Sequence, residues 1–219
     1  MDQSNVQSQK GVTLVGGGDF DGKDLVESMA LAPVLVAADG GSNACFRQGV
    51  VPVAVIGDFD SILPRTRAAF PETKMIEVAE QDSTDFEKSL SRIDAPFVVA
   101  VGFTGKRLDH TLAVLSVMAR RVGPPVILLG PDDVTIWVEG RFSVPVAADS
   151  RVSLYPLAKV TGRSKGLRWP IDGLTLAPLG QISTSNQATG PVTVEIDKPG
   201  CAIILPRSAL ELTLAAISG

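Results

Sequence analysis

Histidine is nearly missing from this 219-residue chain, with His110 its single instance, and cysteine occurs only at Cys45 and Cys201. One imidazole cannot build a histidine zinc cluster, and the two cysteines lack metal-ligand spacing, so both read as small buried thiols. No G-x-S-x-G elbow accompanies His110, which removes the usual serine-nucleophile arrangement. Positive charge is not in excess either: the formal net charge is -4, leaving no general attraction to nucleic acid or to an anionic membrane surface. No apolar run approaches the roughly 20 residues that span a bilayer. The opening "MDQSNVQSQK" lacks the basic start and apolar stretch of an export signal. Internal repeats, low-complexity tracts and long linkers are absent. A cytoplasmic protein that binds neither nucleic acid nor membrane is expected.

What is present is an ordinary core-forming composition, 45% hydrophobic and 20% charged, written in two grammars. From Gly11 to about Val138, short apolar runs ("VTLVG", "VLVAA", "VAVIG", "MIEVA", "FVVAVG", "VILLG", "VTIWV") alternate with helical stretches around Lys23–Ala32, Ser42–Gln48, Arg65–Phe70, Thr84–Ile93 and Leu108–Val122. Nearly continuous apolar strands between helices predict an open, mainly parallel, Rossmann-like sheet covered on both faces. After about Gly140, "RFSVPV", "RVSLYPL", "LTLAPL", "PVTVEI" and "CAIILP" are short strands broken by Pro and Gly, which predict an antiparallel β-sandwich. The expected fold is α/β, with domains at 1–139 and 140–219.

In an open parallel sheet, ligands bind beyond the carboxyl ends of the strands, and polar residues collect there. "VLVAADGGSN" delivers Asp39, "VAVIGDFDSI" delivers Asp58 and Asp60, "MIEVAEQDSTDFEKSL" delivers Gln81 before a helix, and "FVVAVGFTGKRLDH" delivers Arg107 and Asp109. Singly, each acid is explained as a turn former or helix cap, but capping does not call for a D-x-D pair. Two carboxylates about 4 Å apart repel by roughly 4 kcal/mol at an effective dielectric near 20. A cation between Asp58 and Asp60 would relieve that repulsion. Thr84 and Glu87 read as a T-x-x-E capping box that places Asp85 at the first helical position. Phe86, Leu90 and Ile93 then share an apolar face, while Asp85, Lys88 and Arg92 share a polar one. A carboxylate and an ammonium one turn apart suit a metal-bound phosphate, or else form a surface ion pair.

Other phosphate signatures fail on inspection. "GFTGKR" has Ala100 and Arg107 where a Walker loop needs Gly and Ser or Thr. "DFDSI" ends in Ile62 where an aspartyl-phosphate phosphatase carries Thr or Val. "VGGGDF" is compatible with a phosphate-approaching backbone or with a plain turn. An all-oxygen donor set beside phosphate selects Mg²⁺.

Taken together, "ADGGSN", "GDFDSI", "QDSTDFEKSL", "GKRLDH", "GLRWP" and "STSN" resemble the thiamine pyrophosphokinase (thiamine diphosphokinase) family, in order, from about residue 12 to 205. The resemblance implies a homodimer of an α/β catalytic domain that binds nucleotide and metal, followed by a β-sandwich domain that binds thiamine and dimerises. It implies Mg-dependent transfer of pyrophosphate from ATP to the hydroxyl of thiamine, releasing AMP. By motif position, Asp39, Asp58, Asp60 and Asp85 fall on the metal and pyrophosphate cluster, beside Gln81 and Thr84. Lys88, Arg107 and Asp109 fall on the nucleotide and phosphate contacts. Ser183 and Asn186 match the segment that reaches thiamine from the partner subunit. His110 stands where other members can carry Gln. "GCAIIL" replaces the aromatic that some members place in the last strand, leaving Trp169, or aliphatic packing, to meet the thiamine ring; a core position is the other reading of Trp169. The alternatives are a Mg-dependent kinase or pyrophosphokinase of another small alcohol, and a non-catalytic nucleotide or thiamine sensor.

Overall fold

Neighbouring side chains on a strand face opposite ways, and in the first half of this chain both directions lead into apolar surroundings. The computed structural model describes residues 5–218. Residues 1–4 and 219 lie outside it, and with them part of the segment read for an export signal and the outer limits of the two expected domains. The chain divides into two compact units, Met1–Gly130 and Pro131–Gly219, and its fold is mixed α/β.

The first unit contains β1 (Val6–Gln7), β2 (Val12–Val15), α1 (Gly22–Leu31), β3 (Val34–Ala38), α2 (Gly41–Arg47), β4 (Ala54–Gly57), α3 (Pro64–Ala69), β5 (Lys74–Glu77), α4 (Asp85–Leu90), β6 (Ile93–Asp94), β7 (Val98–Val101), α5 (Leu108–Ala119) and β8 (Val126–Leu129). Leu14, Val36, Ile56 and Ala100 enter one apolar cluster, with Phe86 and Leu90 of α4 and Val114 and Met118 of α5. Val15, Ala37, Val55 and Val101 enter another, with Leu25 of α1 and Ala44 and Cys45 of α2. Helices therefore cover both faces, which is why these strands read as unbroken apolar runs.

Parallel ladders join β3 to β4 to β5, and β2 to β7 to β8. A 3.3 Å bond from the Val34 N–H to the Gly11 carbonyl brings the start of β3 beside β2. The loops after β2 and β7 are stitched together, since Gly16 N–H donates to Val101 O at 2.8 Å and Gly18 N–H to Gly102 O at 2.7 Å. Two amides of the triple glycine are thus engaged by protein, as in a plain turn. Asp39, Asp58 and Gln81 each follow the carboxyl end of a strand in the β3–β4–β5 ladder.

The second unit contains β9 (Asp133–Val144), β10 (Arg151–Pro156), β11 (Val160–Leu167), β12 (Thr175–Leu176), the long β13 (Ser183–Pro206), a 3₁₀ turn at Arg207–Ala209 and α6 (Leu210–Ser218). β9 pairs antiparallel with β13, from Val144 opposite Val192 to Asp133 opposite Pro206, with a register shift between Ile196 and Cys201. β11 lies antiparallel to both β13 and β12. β10 meets two stretches of β13, with Arg151 opposite Gln187 and Pro156 opposite Cys201.

Three elements depart from the sequence-based expectation. The helix expected over Thr84–Ile93 stops at Leu90, and Ile93 instead pairs with Val6 in the short β1–β6 ladder. β11, "VTGRSKGL", has only its two end residues buried, so the apolar alternation that marks a strand is missing. α6 packs Leu210 and Thr213 inward in a stretch whose neighbours all read as strands. Both cysteines are free and buried, and burial pushes each thiol up to about 12. Among the described residues no helix is long and apolar enough to cross a membrane.

Candidate active site

Three carboxylates converge at the ends of β3 and β4. One oxygen from each of Asp39, Asp58 and Asp60 lies within 4.8 Å of the others. They form a gradient of exposure, with Asp39 buried, Asp58 half-buried and Asp60 exposed. Asp39 sits in the left-handed region at φ 39°. Its backbone N–H donates to Ile56 O at 2.9 Å, and its Oδ2 accepts from Ser61 N–H at 3.2 Å. Gly57 precedes the D-x-D run because a Cβ there would stand 2.7 Å from that of Asp39. Asp39 Oδ1 has no hydrogen-bond partner. Burial, reinforced by Asp58 and Asp60, pushes its carboxyl above the ordinary range despite the Ser61 bonds.

Asp58 is the opposite case. Lys88 Nζ reaches its Oδ2 at 2.8 Å, and Gln81 Nε2 donates to the same oxygen at 3.0 Å. The Lys88 hydrogen bond is the largest cause holding the Asp58 carboxyl down at about 2. Lys88 itself is only 2% exposed. Burial alone would lower it, but contact with Asp58 and the fields of Asp85 and Glu80 carry it above its usual value. Asp60 N–H donates to Asp58 Oδ1 at 3.3 Å, and Ser61 Oγ donates to Asp60 Oδ1 at 2.8 Å.

Asp85 stands outside the close trio. Burial, then Asp39 and Asp58, push its carboxyl up, so it lies within their field. It does not form the surface ion pair with Lys88, whose ammonium turns to Asp58 instead. Thr84 caps α4 by accepting from Glu87 N–H at 3.3 Å, which is half of the expected capping box. Glu87 extends both oxygens to Arg120, the C-cap of α5, at 2.7 and 2.6 Å; a bidentate partner wins over the cap amide. Arg107 and Asp109 pair with each other at 2.5 Å on the exposed start of α5, and the Arg107 hydrogen bond holds Asp109 down at about 2. His110 is exposed and donates its backbone N–H to Asp109 at 3.0 Å.

In the second unit, Ser183, Asn186 and Trp169 meet. Asn186 is buried, and its Nδ2 donates to Trp169 O at 2.6 Å and to Ser183 Oγ at 3.3 Å. Its Oδ1 accepts from the amides of Trp169 and Gln187, at 3.2 and 2.8 Å. Asn186 thus braces the other two. The Trp169 indole is 55% exposed, with the Arg168 guanidinium 5.1 Å from its ring centre, so it is not a core residue.

Two protein-family models match the chain, "Thiamin pyrophosphokinase, catalytic domain" over residues 25–128 and "Thiamin pyrophosphokinase, vitamin B1 binding domain" over residues 142–201. The chain belongs to the thiamin pyrophosphokinase family. It is an enzyme of thiamine diphosphate biosynthesis. Thiamine pyrophosphokinase 1 of Oryza sativa subsp. japonica is 26% identical over 189 residues, covering 71% of this chain and 72% of its own. Thiamin pyrophosphokinase 1 of Caenorhabditis elegans is 29% identical over 174 residues, covering 70% and 71%. The solved thiamin pyrophosphokinase from Candida albicans shares the fold with a TM-score of 0.78 at 18% identity, over 93% of both chains.

For a thiamin pyrophosphokinase, the acid cluster is where sequence reading was strongest and its supports are where it was weakest. Ser61 and Asn43 were not singled out, although Ser61 touches both Asp39 and Asp60. The "SI" that follows the D-x-D pair and the "SN" that follows the double glycine are the only traces those contacts leave in the sequence.

Proposed function

We propose that the first unit carries the nucleotide and metal chemistry of pyrophosphate transfer from ATP to thiamine, on Asp39, Asp58, Asp60, Asp85, Lys88, Arg107, Asp109, Gln81 and Thr84. The observation that carries this reading is the convergence of three carboxylates, one of which, Asp39, is buried and keeps an oxygen without a hydrogen-bond partner. An acceptor left bare in a sealed position is costly unless something cationic completes it, and an all-carboxylate donor set fits Mg²⁺. Asp39, Asp58 and Asp60 would hold the ion, which when bound neutralises phosphate oxygens that otherwise repel an incoming alcohol.

The protein's own groups supply the rest. Lys88, fixed by Asp58, and Arg107, at the exposed head of α5, place positive charge against the polyphosphate. Gln81 holds Asp58 from the loop after β5. A carboxylate of the cluster, Asp60 or Asp85, would take the proton of the thiamine hydroxyl as its oxygen attacks in line with the departing AMP. The acidic rim also favours approach of the thiamine cation.

The second unit takes the part of thiamine site and dimer contact. Its strands are read as a β-sandwich, and the parallel ladders of the first unit as a Rossmann-like sheet. Ser183 and the exposed Trp169, braced by Asn186, would complete the site of the partner subunit in a homodimer. Two reduced, buried thiols suit the cytoplasm.

The test is incubation with Mg-ATP and thiamine. AMP and thiamine diphosphate should form together, and removing Mg²⁺ should stop both. ADP as product, or AMP release without thiamine, would move the assignment to a kinase or pyrophosphokinase of another alcohol.

A further inference from the structure

Ser61 bonds two of the three converging carboxylates. Its N–H donates to Asp39 at 3.2 Å and its hydroxyl to Asp60 at 2.8 Å. Its remaining polar group, the carbonyl, accepts from Asn43 Nδ2 at 2.8 Å. Asn43 is half-buried in the first turn of α2, four residues after Asp39. Its Oδ1 accepts from Leu63 N–H at 3.0 Å and from Thr66 Oγ1 at 2.7 Å. Leu63 is the N-cap of α3 and has no side chain able to cap. Asn43 therefore holds from α2 the N-cap amide of α3 and the Thr66 hydroxyl one turn on, and with the same side chain holds the turn between β4 and α3. That turn includes Phe59 at φ 67°, a conformation that must be held in place by surrounding contacts.

We propose that Asn43 is a positioning residue of the metal site: by clamping the Ser61 peptide it sets the spacing of Asp39, Asp58 and Asp60, and so their affinity for a divalent cation, without touching the cation or the substrate. Asn43 acts here as an outer-shell partner, the kind of residue whose loss costs metal affinity although it is no ligand. The inference deepens the metal reading above and rests on it. A purely structural Asn43 would lower stability and leave cation affinity where it was.

The two possibilities separate in a binding experiment. Mg²⁺ is titrated calorimetrically into nucleotide-free enzyme, with Mn²⁺ paramagnetic resonance as a second signal, for wild type, Asp58→Asn, Asn43→Ala and Thr66→Val. Thr66→Val removes one bond to Asn43 Oδ1 but leaves the Ser61 clamp. Wild type should saturate, Asp58→Asn should not bind, and Asn43→Ala should bind about 10- to 100-fold more weakly. Thr66→Val should match wild type in affinity while melting lower. In turnover, Asn43→Ala should need more Mg²⁺ yet approach the wild-type kcat at saturation.

Wild-type affinity in Asn43→Ala, or equal weakening in Thr66→Val, overturns the proposal. Wild-type binding by Asp58→Asn, or none by wild type, is a different pattern that removes the metal site and the proposal with it. Should Asn43→Ala not fold, Asn43→Asp keeps the acceptor for Leu63 and Thr66 and loses only the donor to Ser61. Its affinity should fall despite the added negative charge, and unchanged or tighter binding refutes the clamp.

Discussion

A carboxyl sealed from solvent with one bare oxygen resists ionisation, and Asp39 shows what that does to folding. Its folded value lies above the ordinary 3.8, as does that of Asp85. Ionisation of both therefore opposes folding at neutral pH, and the penalty fades as pH falls through the raised values. Asp58 has the reverse sign: held at about 2 by Lys88, it stabilises fully above 3.8 and loses that contribution as pH drops toward 2. Asp39→Asn, which keeps an acceptor for Ser61 N–H, should accordingly melt higher than wild type in metal-free buffer at pH 7. The gain should shrink on approaching pH 4, and turnover should be lost. Thermal unfolding at the two pH values checks this; a variant melting lower at pH 7 would contradict it. The acids themselves were legible because a D-x-D pair after a buried strand has no capping rationale. Their partners were not: Lys88 lies 30 positions from Asp58, and its place on a short helix pointed equally well to Asp85.

Helix α2 is seated by absence of bulk. A Cβ on Gly41, its first residue, would stand 2.1 Å from the Val15 carbonyl oxygen, so backbone meets backbone and neither can yield by rotating a side chain. Gly41→Ala should cost about 3 kcal/mol, seen as a lower denaturation midpoint with an unchanged slope. It should also weaken Mg²⁺ binding, because α2 carries Asn43. Most elements of the first unit could be read because strands such as β2, β4 and β7 are buried along their whole length and helices such as α4 and α5 turn an apolar face to the core. β11 could not, since two glycines and four polar or charged side chains, Thr161, Arg163, Ser164 and Lys165, occupy its middle. The early end of α4 was hidden as well: Ile93 continues the helical period, yet its β-branched side chain is used in a ladder with Val6, at a sequence distance that no local pattern reports.

On the scale of the whole molecule, the proposed division of chemistry between two units, and between subunits, can be tested by mixing. Asp58→Asn should be inactive through the first unit, and the double variant Ser183→Ala, Trp169→Ala through the second. Co-expressed, the two would, in the homodimer proposed above, pair at random into heterodimers with one complete composite site, so activity should return to about a quarter of wild type. No recovery would place each complete site within one chain. The two-grammar pattern of the sequence conveyed the mixed α/β character. The 24-residue β13 was legible only as fragments, because Pro and Gly interrupt its apolar alternation, while its pairing with β9 starts at Val192 and resumes at Cys201 beyond the second interruption. Finally, the sealed positions of Cys45 and Cys201 have a practical side. With both native sulfhydryls out of reach of alkylating dyes, Leu179→Cys at a fully solvent-facing position would accept a maleimide fluorophore alone, giving a single-site optical reporter in an otherwise unaltered enzyme.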